Sequence, residues 1–354
     1  MTKLFPMQNK KREGKNSLNR KFRLSEFLAE NIIKAISFTS FAAIILIFAF
    51  VFREAAPIFF PQEKKELSSE FQQSETYGEE PSDSPKNSSK GYASFHSGAG
   101  DVASFENLTQ KEWQPVGENP KYGLLPLFIG SLKATILAIL FGAPLAILAA
   151  IYSALFASKR LREIIKPAIE LLASFPSVVI GFFALMTIAT FFQNVFGFTY
   201  RLNAFTGGVA MAFAIIPIIY TVTEDALTAV PKYFSEASLA LGATKWQTAL
   251  FVIMPAATPG IFAALLLGFG RAFGETMILL MATGNAPLSS FNIFEPVRTL
   301  SATIGAEMAE VVFGDTHYTV LFFIGAMLFV ITFIINAIAE FYVRAKLMKR
   351  FRGE

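Results

Sequence analysis

The sequence contains no cysteine, which excludes a disulfide framework and any thiolate metal site. Its two histidines, His96 and His317, are too few and too widely separated for a histidine-based metal centre. No GxxxxGK[ST] phosphate loop occurs, so ATP hydrolysis tied to this chain has to sit on another one. HExxH, GxSxG and paired intramembrane aspartates are also missing, which leaves an intramembrane enzyme as the weakest reading. What the chain has in excess is apolar surface. Over 354 residues it is 53% hydrophobic, with 39 phenylalanines and a mean hydropathy of +0.47, beyond the range of an ordinary soluble protein. Several runs reach the ~20 apolar residues that cross a bilayer.

The net charge of +4 matters less than where the cations fall. Residues 1–31 carry Lys10, Lys11, Arg12, Lys15, Arg20, Lys21 and Arg23, and an apolar run follows over residues 32–52. A basic stretch before a spanning helix reads as a cytoplasmic anchor rather than a nucleic-acid site. The run lacks a small-residue cleavage site, so it is expected to be a retained helix. Residues 53–121 form a long extracytoplasmic loop; its Ser/Glu-rich part, roughly residues 61–98, lacks core-forming side chains and is expected to be disordered. Residues 122–343 hold five further spans, near residues 124–156, 167–192, 205–223, 258–283 and 318–343. Lys159, Arg160, Arg162 and Lys166 are read as a short basic loop, and residues 344–354 as a basic tail with Arg344, Lys346, Lys349, Arg350 and Arg352. The positive-inside rule then gives an all-α polytopic membrane protein of six spans, both termini cytoplasmic. No internal repeat is evident.

One polar-containing segment, PKYFSEASLALGATKWQTALFVIMP (residues 231–255), separates two spans on the cytoplasmic side. Pro231 suits the first turn of a helix, Glu236 is favourable near its N-terminus, and Gly242 can take the left-handed conformation that ends it. Thr244 with Gln247 makes a capping box for a second helix, which runs to Pro255. Glu236, Ala237, Ser238, Gly242 and the later Ile253-Met254-Pro255 resemble the EAA loop of ABC-transporter permeases, with Ser238 in place of the second alanine. The resemblance implies docking on a cytoplasmic ATPase; a hairpin merely resting on the bilayer is the alternative.

The fifth span contains GFGRAFGETMILLMATGNAP, residues 268–287. On a continuous helix Arg271 and Glu275 lie about 40° apart on one face, taking ~100° per residue. Charges at membrane depth cost at least ~2.5 kcal/mol, so the two are expected to face protein or water, and each other. Two readings stand: a structural ion pair, or an anion path in which Glu275 holds the Arg271 guanidinium. The segment RAFGETM, with EPVRTLSATIGAEMAE (residues 295–310) and ELLASFPSVVIGFF (residues 170–183), resembles the PstC-type permease subunits of bacterial phosphate-specific ABC transporters. The likeness covers about residues 120–343. Phe273 in RAxGET, Ser174-Phe175 before Pro176 and the Ser/Glu-rich insertion depart from the pattern.

That resemblance implies a type I ABC importer permease fold and inorganic phosphate as substrate. It implies no cofactor in this chain, with ATP-Mg on a PstB-like ATPase dimer. A PstA-like second permease and a PstS-like phosphate-binding protein complete the partners. The residues alone imply only an anion, so phosphonate, sulfate or molybdate, or a non-transporting phosphate sensor, stay open. Lys133 either snorkels or lines the path. Glu170 is read as structural near Lys166, and Arg298 as attracting anions or, preferably, pairing with Glu295. His317 needs no special role.

Overall fold

The computed structural model describes residues 24–59, 105–117 and 119–352, with side chains described for 28–59, 107–117 and 119–341. The cations of the first 23 residues, His96 and the Ser/Glu-rich insertion lie outside the described residues, as do the side chains of the basic tail. The chain divides into two compact units, residues 1–50 and 51–354.

Helix α1, Leu24–Ala55, supplies the described part of the first unit and runs into the second. Ile32, Ile33, Phe38, Phe41, Ile44 and Leu46 are all exposed. A helix apolar on every face, rather than on one stripe, belongs in an apolar surrounding. Its hydroxyls are satisfied internally: Thr39 Oγ1 donates to the Ala35 carbonyl at 2.8 Å and Ser40 Oγ to Ile36 at 3.1 Å.

The second unit continues with a 3₁₀ turn, Ala56–Ile58, and then α2 (Phe105–Leu108). A two-stranded antiparallel ribbon follows, β1 (Trp113–Gln114) and β2 (Lys121–Tyr122), with Trp113 opposite Tyr122. Helix α3 is Leu125–Ile151 and ends in a π-helical turn, Tyr152–Phe156. The chain then forms α4 (Lys159–Ser174), α5 (Ser177–Phe183), a π-helical turn (Ala184–Ile188) and α6 (Ala189–Phe196). Helix α7 is Ala204–Thr228, α8 is Lys232–Ala240 and α9 is Lys245–Thr248. A third π-helical turn, Ala249–Ile253, leads into α10 (Met254–Phe273). The last helices are α11 (Met277–Ala282), α12 (Leu300–Glu307) and α13 (Thr316–Arg352).

Among the described residues, six stretches are long and apolar enough to cross a membrane: Leu28–Ile58, Leu125–Phe156, Ser177–Phe196, Ala204–Thr228, Lys245–Phe273 and Thr316–Phe341. The third begins later than the sequence suggested. Residues 159–174 are not a loop followed by a span but the separate amphipathic helix α4, capped by Ser158 and halted at Phe175-Pro176. Its leucines and isoleucines adjoin the apolar run beyond Pro176, which is why the sequence alone reads the two as one span. The fifth span also differs at both ends: it begins at Lys245 rather than near residue 258 and stops at Phe273 instead of running to residue 283.

Helix α7 sits at the centre of the second unit, because its small residues let neighbours close in. A Cβ on Gly208 would fall 2.5 Å from Leu137 Cβ of α3, and one on Gly268 of α10 would fall 2.6 Å from Ile219 of α7. Such approaches replace the hydrophobic drive that lipid cannot supply between helices. Met211, Ile215, Ile219 and Tyr220 are fully buried there. The Tyr220 hydroxyl donates to Ser153 at 2.8 Å, satisfying two polar atoms inside the bundle. A second core gathers Ile58, Trp113, Tyr122, Leu127, Phe273, Leu300 and Leu321, so the ribbon is packed onto the start of α3 and α13.

Candidate functional site: hairpin, helix break and two charge clusters

Residues 231–248 fold as the sequence predicts, but the second helix does not run as one piece to Pro255: α9 passes through the π-helical turn into α10 and is itself the start of the fifth span. Pro231 takes the N-cap position of α8, one place ahead of the first turn. The helix ends in a Schellman motif: Ala243 N–H donates to Ser238 O at 3.2 Å and Gly242 N–H to Leu239 O at 3.0 Å, with Gly242 at φ +87°. A Cβ at that angle would be strained, which explains the glycine. Thr244 and Gln247 form the capping box of α9. Ser238, the departure from the double alanine, hydrogen-bonds Thr248 across the two helices at 2.9 Å. Trp246 packs on Phe156 with ring centroids 5.4 Å apart. The outward face is bare: Glu236 is exposed, as are Tyr233, Leu239 and, at 89%, Leu241. A hairpin pinned from within and apolar without is a surface suited to a partner protein.

Arg271 and Glu275 do not form the expected pair. Helix α10 terminates at Phe273, and residues 274–276 break the chain before α11 starts at Met277. Residues four apart share a face only while the helix continues, and here it does not. Arg271 stands exposed in the last turn of α10, where a cation complements the helix C-terminus. Glu275 is half-buried, and its backbone carbonyl accepts from Ser301 Oγ at 2.6 Å. Among the described residues no ion pair joins the two side chains. The break is held from α12, whose residue Gly305 lies against Thr276: a Cβ there would meet Thr276 Cγ2 at 2.6 Å.

The start of α3, the ribbon and the segment before α12 meet at a cluster the sequence did not reveal. Glu307 accepts from Arg298 Nη1 and, at 3.2 Å, from Trp113 Nε1 on one carboxylate oxygen; His317 Nε2 lies 2.9 Å from the other. Arg298 also donates to Asn285 O at 3.1 Å. The expected Arg298–Glu295 pair is therefore replaced: Arg298, just ahead of α12, pairs with Glu307 at the far end of that same helix, while Glu295 accepts from Asn292 at 3.3 Å. His317, expected to be idle, is a member of this cluster. Lys133 donates to Asn292 O at 2.9 Å, tying α3 to the same segment.

A second carboxylate that the sequence does not single out is Glu224, near the end of α7. Its side chain is 2% exposed and bonds Arg162 on one oxygen and Lys166, at 2.9 Å, on the other. Lys166 also lies 3.8 Å from Asp225. The Glu224 carboxylate beside it, with Asp225 and Glu170 adding to the field, holds the Lys166 ammonium above the ordinary lysine value of 10.5. Glu170 thus reaches the cluster only through its charge, exposed one turn beyond Lys166. The available signal was the pair Glu224-Asp225 closing an apolar run, set against four cations at 159–166.

Six candidate spans, with a capped hairpin whose second helix opens the fifth, define a polytopic helical membrane protein. More narrowly, residues 142–347 match the family described as binding-protein-dependent transport system inner membrane component, and the chain belongs to it. It is thus a multi-pass inner-membrane permease of the ABC importers. It is 36% identical over 233 residues to the probable ABC transporter permease protein YqgH of Bacillus subtilis, covering 66% of this chain and 75% of that one. It is 35% identical over 256 residues to the phosphate transport system permease protein PstC of Mesorhizobium japonicum, covering 67% and 77%. Among solved structures, an inward-facing MetNI methionine ABC transporter matches with a TM-score of 0.45 at 20% identity, over 63% of this chain and 94% of that one.

Proposed function

We propose that the chain is the transmembrane subunit of an ATP-driven importer of inorganic phosphate. The observation that carries the coupling half of this reading is the hairpin: its interior bonds fix its shape, and its exposed Glu236, Tyr233 and Leu241 await a partner. That partner is a cytoplasmic ATPase dimer bearing ATP-Mg, since this chain has no phosphate loop. A second permease of the same fold and an extracytoplasmic phosphate-binding protein complete the assembly. Both termini lie on the hairpin side of the membrane, in keeping with the cations of residues 1–23, 159–166 and 344–352.

Phosphate as the substrate is supported by the relatives named phosphate transport permeases. Arg271 suits an oxyanion: its planar fork is exposed and unpaired among the described residues, at a break where backbone groups are also freed. Glu275 shapes the break rather than clamping the guanidinium. Lys133 and Arg298, with a carbonyl and a carboxylate as partners, hold the neighbouring segment in place.

The test is uptake in vesicles reconstituted with the ATPase and binding protein. Phosphate should accumulate only with ATP. Glu236→Lys should abolish both ATPase copurification and uptake; normal levels of both would refute docking through this hairpin. Accumulation of sulfate, molybdate or a phosphonate in place of phosphate would keep the machinery and replace the substrate.

A further inference from the structure

Among the described ion pairs, Glu224 is the most enclosed carboxylate, and the transport steps above make no use of it. Both of its cations come from one helix. Arg162 and Lys166, four residues apart on α4, take its two oxygens separately, which fixes the rotation of α4 as well as its distance from α7. Helix α4 has no fully buried residue of its own; Ile165 and Ile169 only rest against the core. The two charged contacts are therefore its main specific attachment. A buried ion pair is a poor source of stability compared with apolar packing, so its geometry is the more informative property.

The elements joined at Glu224 lead in two directions. On one side α7 ends at Thr228 and α8 begins at Lys232, the residues between held by Ala229 N–H to Asp225 O at 2.9 Å and Val230 N–H to Leu227 O at 3.4 Å. On the other, α4 turns at Phe175-Pro176 into the third span. That span touches α11 so closely that a Cβ on Gly181 would lie 3.0 Å from Met277 O and 3.1 Å from Ile278 Cα. Met277 opens α11, directly after the break that follows Arg271.

We propose that the Glu224–Arg162–Lys166 clamp couples the ATPase to the transport path: it makes the end of α7 and helix α4 one body, so that movement of the hairpin reaches the third span and the break beside Arg271. The inference rests on the functional reading above, and Glu224 acts in it as a positioning residue that touches no substrate. Packed elements with two discrete arrangements transmit such displacements; a clamp that slips dissipates them.

The experiment measures phosphate moved per ATP hydrolysed in the full reconstituted complex. Glu224→Gln keeps the side-chain shape and removes the charge. It should copurify with the ATPase and hydrolyse ATP, while the ratio falls about five-fold or more, the lower edge of ordinary coupling strengths. Because the chain has no cysteine, Arg162→Cys/Glu224→Cys gives an independent arm that also serves if Glu224→Gln fails to assemble. The pair should show the low ratio, and a short thiol-to-thiol crosslinker should restore it, which a lost electrostatic contribution to folding would not allow. An unchanged ratio in Glu224→Gln, or a crosslink without effect on the ratio, overturns the clamp alone. A wild-type complex without ATP-driven phosphate uptake overturns the functional reading and the clamp with it.

Discussion

Glu224 and Glu307 each collect several donors, and they differ in where the donors come from. Glu224 takes both cations from α4, with its side chain 2% exposed. Glu307 takes Trp113 from the ribbon, Arg298 from the segment before α12 and His317 from α13, and stays 16% exposed. The first arrangement orients one helix against another. The second ties the end of α12 to the distant ribbon, to its own preceding segment and to the start of α13. Arg271 supplies the contrast to both, a cation at a helix end with no carboxylate on it among the described residues. The two carboxylates hold elements of the second unit together, whereas the Arg271 guanidinium is left available.

Removing each group should rank these regions. Glu307→Ala strands Arg298 and His317, whose side chains are only 19% and 12% exposed, and should cost about 1.5–3 kcal/mol of stability, read as a fall in the detergent unfolding midpoint. Glu224→Ala should cost less, about 1 kcal/mol, because Arg162 and Lys166 are 35% and 36% exposed and turn to water once the carboxylate is gone. Equal losses would remove the distinction drawn from burial. Trp113→Phe keeps the ring in its packing and deletes a single donor, so about 1 kcal/mol is expected by the same assay. Arg271→Ala should stay within about 0.5 kcal/mol of wild type. It should nevertheless lower uptake roughly ten-fold, the effect of one lost charge-assisted contact of ~1.5 kcal/mol. Arg271→Lys should recover part of that loss, since it retains charge without the fork.

The smallest effect concerns pH. The folded-state value of Lys166 is raised, so its contribution is complete below the ordinary lysine value and fades only as pH rises through the raised one. Stability followed from about pH 7 to 9 should show no step from this group. A loss that vanished in Lys166→Arg would contradict that assignment.

Local signals carried the hairpin. Gly242, Thr244 and Gln247 act within a few residues of themselves, so their conformations were legible without tertiary knowledge. The second and fourth spans were legible for a similar reason, being long apolar runs with clear ends. Errors arose where continuity was assumed. Merging α4 with the third span ignored the amphipathic character of residues 159–174 ahead of Pro176, and carrying the helical period through Gly274 created a pair that the chain break removes. The partners of Glu224 and the Trp113 partner of Glu307 lie far away in sequence, while Arg298 and His317 flank Glu307 by nine and ten residues at spacings that no helical periodicity picks out. Ser238 shows the reverse case, where a departure from a family pattern acquires its reason only once Thr248 is seen opposite it.

The central claim is that energy enters through the hairpin and phosphate passes beside Arg271. The most direct test is ATP-dependent uptake of phosphate into vesicles holding the complete complex, measured for wild type, Glu236→Lys and Arg271→Ala together with ATP hydrolysis. Wild type should accumulate phosphate. Glu236→Lys should lose the ATPase, and Arg271→Ala should keep the ATPase and its hydrolysis while uptake falls. Undiminished phosphate uptake by Arg271→Ala, at wild-type hydrolysis, would contradict the account.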